Sequence, residues 1–83
     1  MCWHVYIVKC SDGTLYTGVA KDLARRLDEH NSSKLGAKYT RARRPVELVL
    51  SEECASRSEA CKREVVIKNL TRDQKIGLIN QPE

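Results

Sequence analysis

Ser11-Asp12-Gly13 separates two apolar runs, His4–Cys10 and Leu15–Ala20, and the way this turn closes decides what the chain can build. Asp12-Gly13 as a two-residue turn would pair Tyr6 with Val19 and Lys9 with Tyr16. Paired residues point the same way and faces alternate with period two, so the two phenols would then lie on opposite faces. A three-residue loop, with Gly13 left-handed in a G1 bulge, pairs Tyr6 with Gly18, Val8 with Tyr16 and Cys10 with Thr14. Both phenols then share one face, and Val5, Ile7, Leu15 and Val19 form an apolar set on the other. Gly18 leaves an open space across from Tyr6. The second register sorts apolar from polar better, and it is the one we adopt.

The rest of the chain reads as short elements with clear ends. Asp22 can cap a helix running to about Asn31, with Leu23 and Leu27 as its buried pair. Residues 31–45 carry Ser, Gly, basic residues and Pro45, a long exposed connection. Val46–Ser51 alternates and is β-branched, a third strand. Ser56-Arg57-Ser58-Glu59 and Thr71-Arg72-Asp73-Gln74 each place an acid or amide three residues after a hydroxyl, the pattern of a capping box. Two more helices follow from them. The last contains Gly77, which weakens it by about 1 kcal/mol relative to Ala, so it is expected to dock through Ile76 and Ile79. The order β-β-α-β-α-α predicts an α+β fold: a three-stranded antiparallel sheet flanked by about three helices, in a single domain over residues 1–83.

A chain of 83 residues builds a small core, which favours a surface groove over a deep pocket. Lys plus Arg exceed Asp plus Glu by 15 to 11, and the net charge of +4 favours a polyanionic partner. Cys2, Cys10, Cys54 and Cys61 lack the spacing of a zinc knuckle and follow no secretory segment, so they read as reduced thiols of a cytoplasmic protein. No run approaches the length of a membrane span.

Candidate chemistry lies at three places. Arg26 and His30 are one turn apart on the first helix, and Arg26 stands beside the Leu23–Leu27 stripe, where a partly buried guanidinium could meet a phosphate. The plain alternative is a solvated helix face, with His30 as a C-terminal cation. Glu64 sits at the margin of the next helix's buried stripe. There it can pair with Lys68 one turn on, or hold a hard divalent cation. Lys38, Tyr39, Arg41, Arg43 and Arg44 crowd cations and an aromatic ring into the exposed connection, a set suited to contacting a nucleic-acid backbone and stacking on a base.

Taken in order, these residues resemble the GIY-YIG nuclease superfamily, and within it the small single-domain members. Val5-Tyr6-Ile7 stands where that family has GIY, and Tyr16-Thr17-Gly18 where it has YIG. The run Lys21–His30 matches the helix bearing the family's arginine and histidine, and Glu64, in Arg63–Lys68, matches its metal-binding glutamate. Gly36–Arg41 and Leu70–Lys75 resemble segments of the stand-alone members. Val5 replaces a glycine and Thr17 an isoleucine; neither position supplies a reacting group.

The resemblance implies a metal-dependent endonuclease acting on nucleic acid, DNA first, in a structure-selective or repair-related role. A protein partner would be a further source of substrate choice. Glu64 would hold Mg²⁺ or Mn²⁺, Arg26 would stabilise the transition state, and Tyr6 or Tyr16 would orient or deprotonate the attacking water. Tyr6 is preferred as base because of the space at Gly18, its pKa lowered by Arg26. His30 would relay a proton or contact the phosphate. A non-catalytic nucleic-acid-binding module and a partner-dependent adaptor are the alternative readings.

Overall fold

Gly13 has φ +85°, the left-handed region that favours glycine. Its N–H donates to the Cys10 carbonyl at 2.9 Å, and the Cys10 N–H donates to the Thr14 carbonyl at 2.8 Å. The Asp12 carboxylate closes the loop from outside, accepting from the Thr14 N–H at 3.1 Å and the Thr14 hydroxyl at 2.6 Å. The three-residue loop is therefore the one formed. In this computed structural model, which describes residues 2–32 and 43–80, β1 (Trp3–Lys9) pairs with β2 (Leu15–Ala20) in the expected register, Tyr6 opposite Gly18 and Val8 opposite Tyr16.

β3 (Glu47–Cys54) adds antiparallel to the other side of β1, giving the order β2-β1-β3. It starts one residue later and runs three residues further than its alternation predicts. Glu52 and Glu53 are poor strand formers, yet pairing with Val5 and His4 holds them in the ladder. Between Ile7 and Val8 the register shifts, so that Leu50 faces Ile7 and Leu48 faces Val8. Val49 is the extra residue of this bulge, and Val49 and Leu50 both pack on the same cluster despite being consecutive.

Three helices complete the β-β-α-β-α-α order: α1 (Leu23–Ser32), α2 (Arg57–Lys68) and α3 (Arg72–Ile79). Asp22 caps α1 through the Arg25 N–H at 3.1 Å. Thr71 and Gln74 form the full reciprocal box at α3. At α2 the box is displaced by one residue. Ser56 accepts from the Glu59 N–H, but the Glu59 carboxylate reaches past Ser56 to the Ala55 N–H at 3.1 Å.

The core divides by sheet face. Tyr6, Val8, Cys10, Ala20 and Val46 pack with Leu23 and Leu27 of α1. On the other face Val5, Ile7 and Ile67 are fully buried, with Leu15, Val19, Leu78 and Ile79 packed against them. Burying one such aliphatic side chain contributes roughly 1.5–3 kcal/mol. α3 docks through Leu78 and Ile79, whereas Ile76 is 37% exposed at the margin of a hollow beside Lys9 and Leu15, so the expected contact through Ile76 is replaced by one through Leu78. The Arg63 guanidinium grips both Glu52 oxygens at 2.8 and 3.1 Å and ties α2 to β3. All four cysteines are free thiols. Among the described residues no helix is long and apolar enough to cross a membrane.

Candidate active site

Tyr6 belongs to the central strand, yet its hydroxyl reaches the open edge of β2. The reason is Gly18. A Cβ built at Gly18 would stand 2.5 Å from the Tyr6 oxygen and 2.6 Å from its Cζ, so the ring lies directly over the glycine backbone. The space anticipated across from Tyr6 is thus filled by the Tyr6 ring itself. A hollow of about 300 Å³ opens at this edge, lined by Tyr6, Tyr16 and Gly18 of the hairpin, Arg26 of α1 and Glu64 of α2. Period two puts the phenols together, and a helix on each sheet face brings an arginine and a carboxylate to the same edge.

Behind the hollow sits His30, completely buried. Its Nε2 is 2.7 Å from the Tyr6 oxygen, and its ring meets Tyr6 and Tyr16 edge-on with centroids 5.8 and 5.5 Å apart. Burial lowers the His30 pKa, helped by the positive charge of Arg26. The ring is therefore neutral near pH 7, and its Nε2 lone pair can accept the Tyr6 hydrogen bond. Buried in this way, it lies behind the wall of the hollow rather than on it.

The Arg26 guanidinium donates to Glu29 Oε1 at 3.0 Å and also interacts with the Tyr6 hydroxyl. Burial opposes its charge, but these contacts outweigh the penalty and raise its pKa. Tyr6 departs from expectation. Arg26 does favour the phenolate, yet burial of a residue only 2% exposed dominates, and the Tyr6 pKa is raised. The phenol therefore keeps its proton near neutral pH, and His30 Nε2 lies within hydrogen-bond reach of it.

Glu64 has a side chain 23% exposed and pairs with Lys68 at 3.5 Å, so the one-turn ion pair read from the sequence exists alongside its place on the hollow. Lys68 is half-exposed, and such a pair contributes at most about 1 kcal/mol. Among the described residues no three His, Cys, Asp or Glu side chains stand together as a metal cage. The Glu64 carboxylate, mostly buried and beside the Lys68 ammonium, is a single protein ligand of the kind a hard cation accepts while it completes its shell with water and substrate oxygens.

The basic segment divides. Lys38, Tyr39 and Arg41 lie outside the described residues. Arg43 pairs with Asp12 at 3.1 Å, and its carbonyl accepts from the Ser11 N–H at 2.9 Å, pinning the hairpin loop. Arg44 donates to the carbonyls of His30 and Glu29 and closes the end of α1. Both arginines thus have intramolecular roles that composition did not reveal. Sequence reasoning also passed over Trp3 and Arg57, which line the hollow as well. Trp3 could have been found by continuing the Val5–Ile7 alternation back one step; Arg57 carried no signal beyond its place after a helix cap.

A family model described as the GIY-YIG catalytic domain matches residues 2–77. The chain belongs to the GIY-YIG family. A UPF0213 protein of Desulfotalea psychrophila is 58% identical over 81 residues, covering 98% of this chain and 74% of that protein. Another, from Staphylococcus epidermidis, is 58% identical over 77 residues and covers 93% of each. Among solved structures, the solution NMR structure of a UPF0213 protein from Bacillus halodurans is 43% identical, with a TM-score of 0.61 over 95% of this chain and 83% of that one. A protein from E. faecalis, also solved by NMR, is 41% identical with a TM-score of 0.62, over 94% and 83%. These likenesses place this GIY-YIG chain in a nuclease family with the same three-stranded fold.

Proposed function

We propose that this GIY-YIG domain hydrolyses phosphodiester bonds in nucleic acid, DNA in the first instance, at the hollow on the β2 edge. One observation carries the reading: Tyr6, Arg26 and Glu64, from three separate elements, line the same opening. Arg26 is the permanent cation for the phosphate, and its fork stabilises negative charge as it grows in the transition state. Tyr6 receives a proton from the attacking water while its own passes to His30 Nε2. The new P–O bond forms as the bond to the departing 3′ oxygen breaks, and that oxygen takes a proton from solvent. Tyr16 meets the His30 ring edge-on and helps to hold it. Glu64 is the residue that would hold Mg²⁺ or Mn²⁺; such an ion supplies Lewis-acid stabilisation of the phosphate and leaving oxygens when bound.

Cleavage assays on duplex, branched, flapped and single-stranded DNA, with RNA beside them, test this in either metal. Glu64→Gln keeps the volume but makes a far poorer cation ligand. Turnover is expected to fall by orders of magnitude, while binding holds or rises slightly. Activity that survives Glu64→Gln would refute the role of this carboxylate. A wild-type protein that binds nucleic acid and cuts nothing would favour the binding module instead.

A further inference from the structure

Trp3 lines two hollows at once. One is the opening with Tyr6, Arg26 and Glu64; the other, of about 390 Å³, is bounded by Lys21, Arg25 and Glu29. Val19 and Arg26 line both as well, so the two hollows adjoin between the β2 edge and the start of α1. Trp3 stands where they join.

Its setting differs from that of its strand neighbours. Val5 and Ile7, on the same sheet face, are completely buried, while Trp3 keeps part of its surface open. The Arg57 guanidinium lies over the indole, 5.8 Å from the ring centroid. A cation on an aromatic ring holds the ring's orientation and adds positive charge beside it. Cations thus stand near Trp3 in both hollows, Arg26 and Arg57 in the first and Arg26, Lys21 and Arg25 in the second, where Asp22 and Glu29 also line the wall and Glu29 pairs with Arg25 and Arg26. Cations flanking an aromatic ring suit the phosphates that flank a base.

We propose that Trp3, steadied by Arg57, is a stacking platform for one nucleobase next to the phosphate held at Arg26, and that Lys21 and Arg25 receive the following phosphate. The proposal rests on the nuclease reading above and specifies how its substrate is seated. A base can lie on Trp3 only when it has left its own stack, so an open strand and a nucleotide drawn out of a duplex offer the same chemistry.

Trp3 is the single tryptophan of the chain, so indole emission, excited at the red edge where tyrosine does not absorb, reports on it alone. Wild-type protein is titrated in chelator, which keeps the probe uncut, with end-labelled oligothymidylate, an abasic oligomer of equal length, and a blunt duplex. Label anisotropy measures binding while indole emission measures stacking. Oligothymidylate is expected to quench Trp3 and to bind more tightly than the abasic strand, by roughly fivefold to a hundredfold for a stacked base. Trp3→Ala should erase that difference, and Trp3→Phe should keep most of it. Quenching by the single strand alone assigns the base to an open strand, whereas quenching by the duplex too assigns it to a flipped nucleotide. Binding without any change in emission would overturn the platform and leave the nuclease reading standing. So would a Trp3→Ala protein that still prefers the base-bearing strand. Absence of binding to every probe would overturn both.

Discussion

Tyr6 and Ile7 are consecutive in β1, both buried, and on opposite faces of the sheet. The Ile7 face meets α2 and α3 through aliphatic carbon, and one buried polar group there, the Thr17 hydroxyl, has no hydrogen-bond partner. The Tyr6 face meets α1 and carries a hydroxyl, an imidazole and a guanidinium within one network. One face is organised by area removed from water and the other by a polar network around Tyr6 and His30, although His4 Nδ1 on that face is itself unpaired. The first tolerates any close-packed hydrocarbon of the right volume, whereas the second depends on each atom of the network. The candidate chemistry lies on the second, at the edge where Glu64 arrives from the other side.

The sharpest way to break this comparison is Gly18→Ala. Its new Cβ would collide with the Tyr6 ring, so the ring must leave the strand and its bond to His30. Cleavage is expected to collapse, and stability to fall by about 1–3 kcal/mol, as for overpacking elsewhere. Initial rates and urea midpoints together check this. Wild-type behaviour in both would mean that Tyr6 is not fixed over Gly18.

A second test concerns the support beneath the polar face. Arg44→Met removes the guanidinium that closes α1 beside His30. Charged hydrogen bonds of this kind contribute about 1.5–3 kcal/mol. Arg43→Met removes a half-exposed ion pair with Asp12, which solvent screens. Chemical denaturation should therefore rank Arg44→Met as clearly the more damaging. Equal losses would return both arginines to the surface role read from composition.

On the aliphatic face the expected sign reverses. Thr17 is buried opposite Ile7 with its hydroxyl unpaired, and Thr17→Val replaces that hydroxyl with a methyl group of similar shape. A gain of about 1 kcal/mol is expected, because the penalty for an unmet hydroxyl disappears. A loss in the urea midpoint would show that the hydroxyl is satisfied in solution.

Acidification separates the faces by slope. The His30 pKa is lowered in the fold by burial and by Arg26, so the unfolded chain takes up the proton first. The His30 contribution is full above the ordinary histidine value of about 6.5 and is lost as pH falls from there through the folded pKa. His30→Gln should flatten this part of the stability curve, and Thr17→Val should leave it unchanged. Matching slopes in wild type and His30→Gln would contradict the buried neutral ring.

Much of this was legible because it is local. Gly13 specified its own turn, that turn specified the register, and the register put Tyr6 and Tyr16 on one face. Asp22, Ser56 and Thr71 marked their helices because a cap is an interaction over three residues. The acidic end of β3 was hidden, since the pairing of Glu52 and Glu53 depends on β1 rather than on their own propensity. His30 could be read as an exposed helix-end cation, and only its packing against both tyrosines made it a neutral acceptor.

The amino-acid order by itself determined the α+β topology, the face shared by the phenols and the candidates for the site. It did so through hydrogen bonds and periodicities that span a few positions. Tertiary structure alone decided how those residues are used. It laid the Tyr6 ring over Gly18, spent Arg44 on the carbonyls of α1, and set Trp3 on the wall of two adjoining hollows. Each of these depends on distances between elements remote in sequence, and the burial that tunes Tyr6 and His30 exists only after those elements have packed.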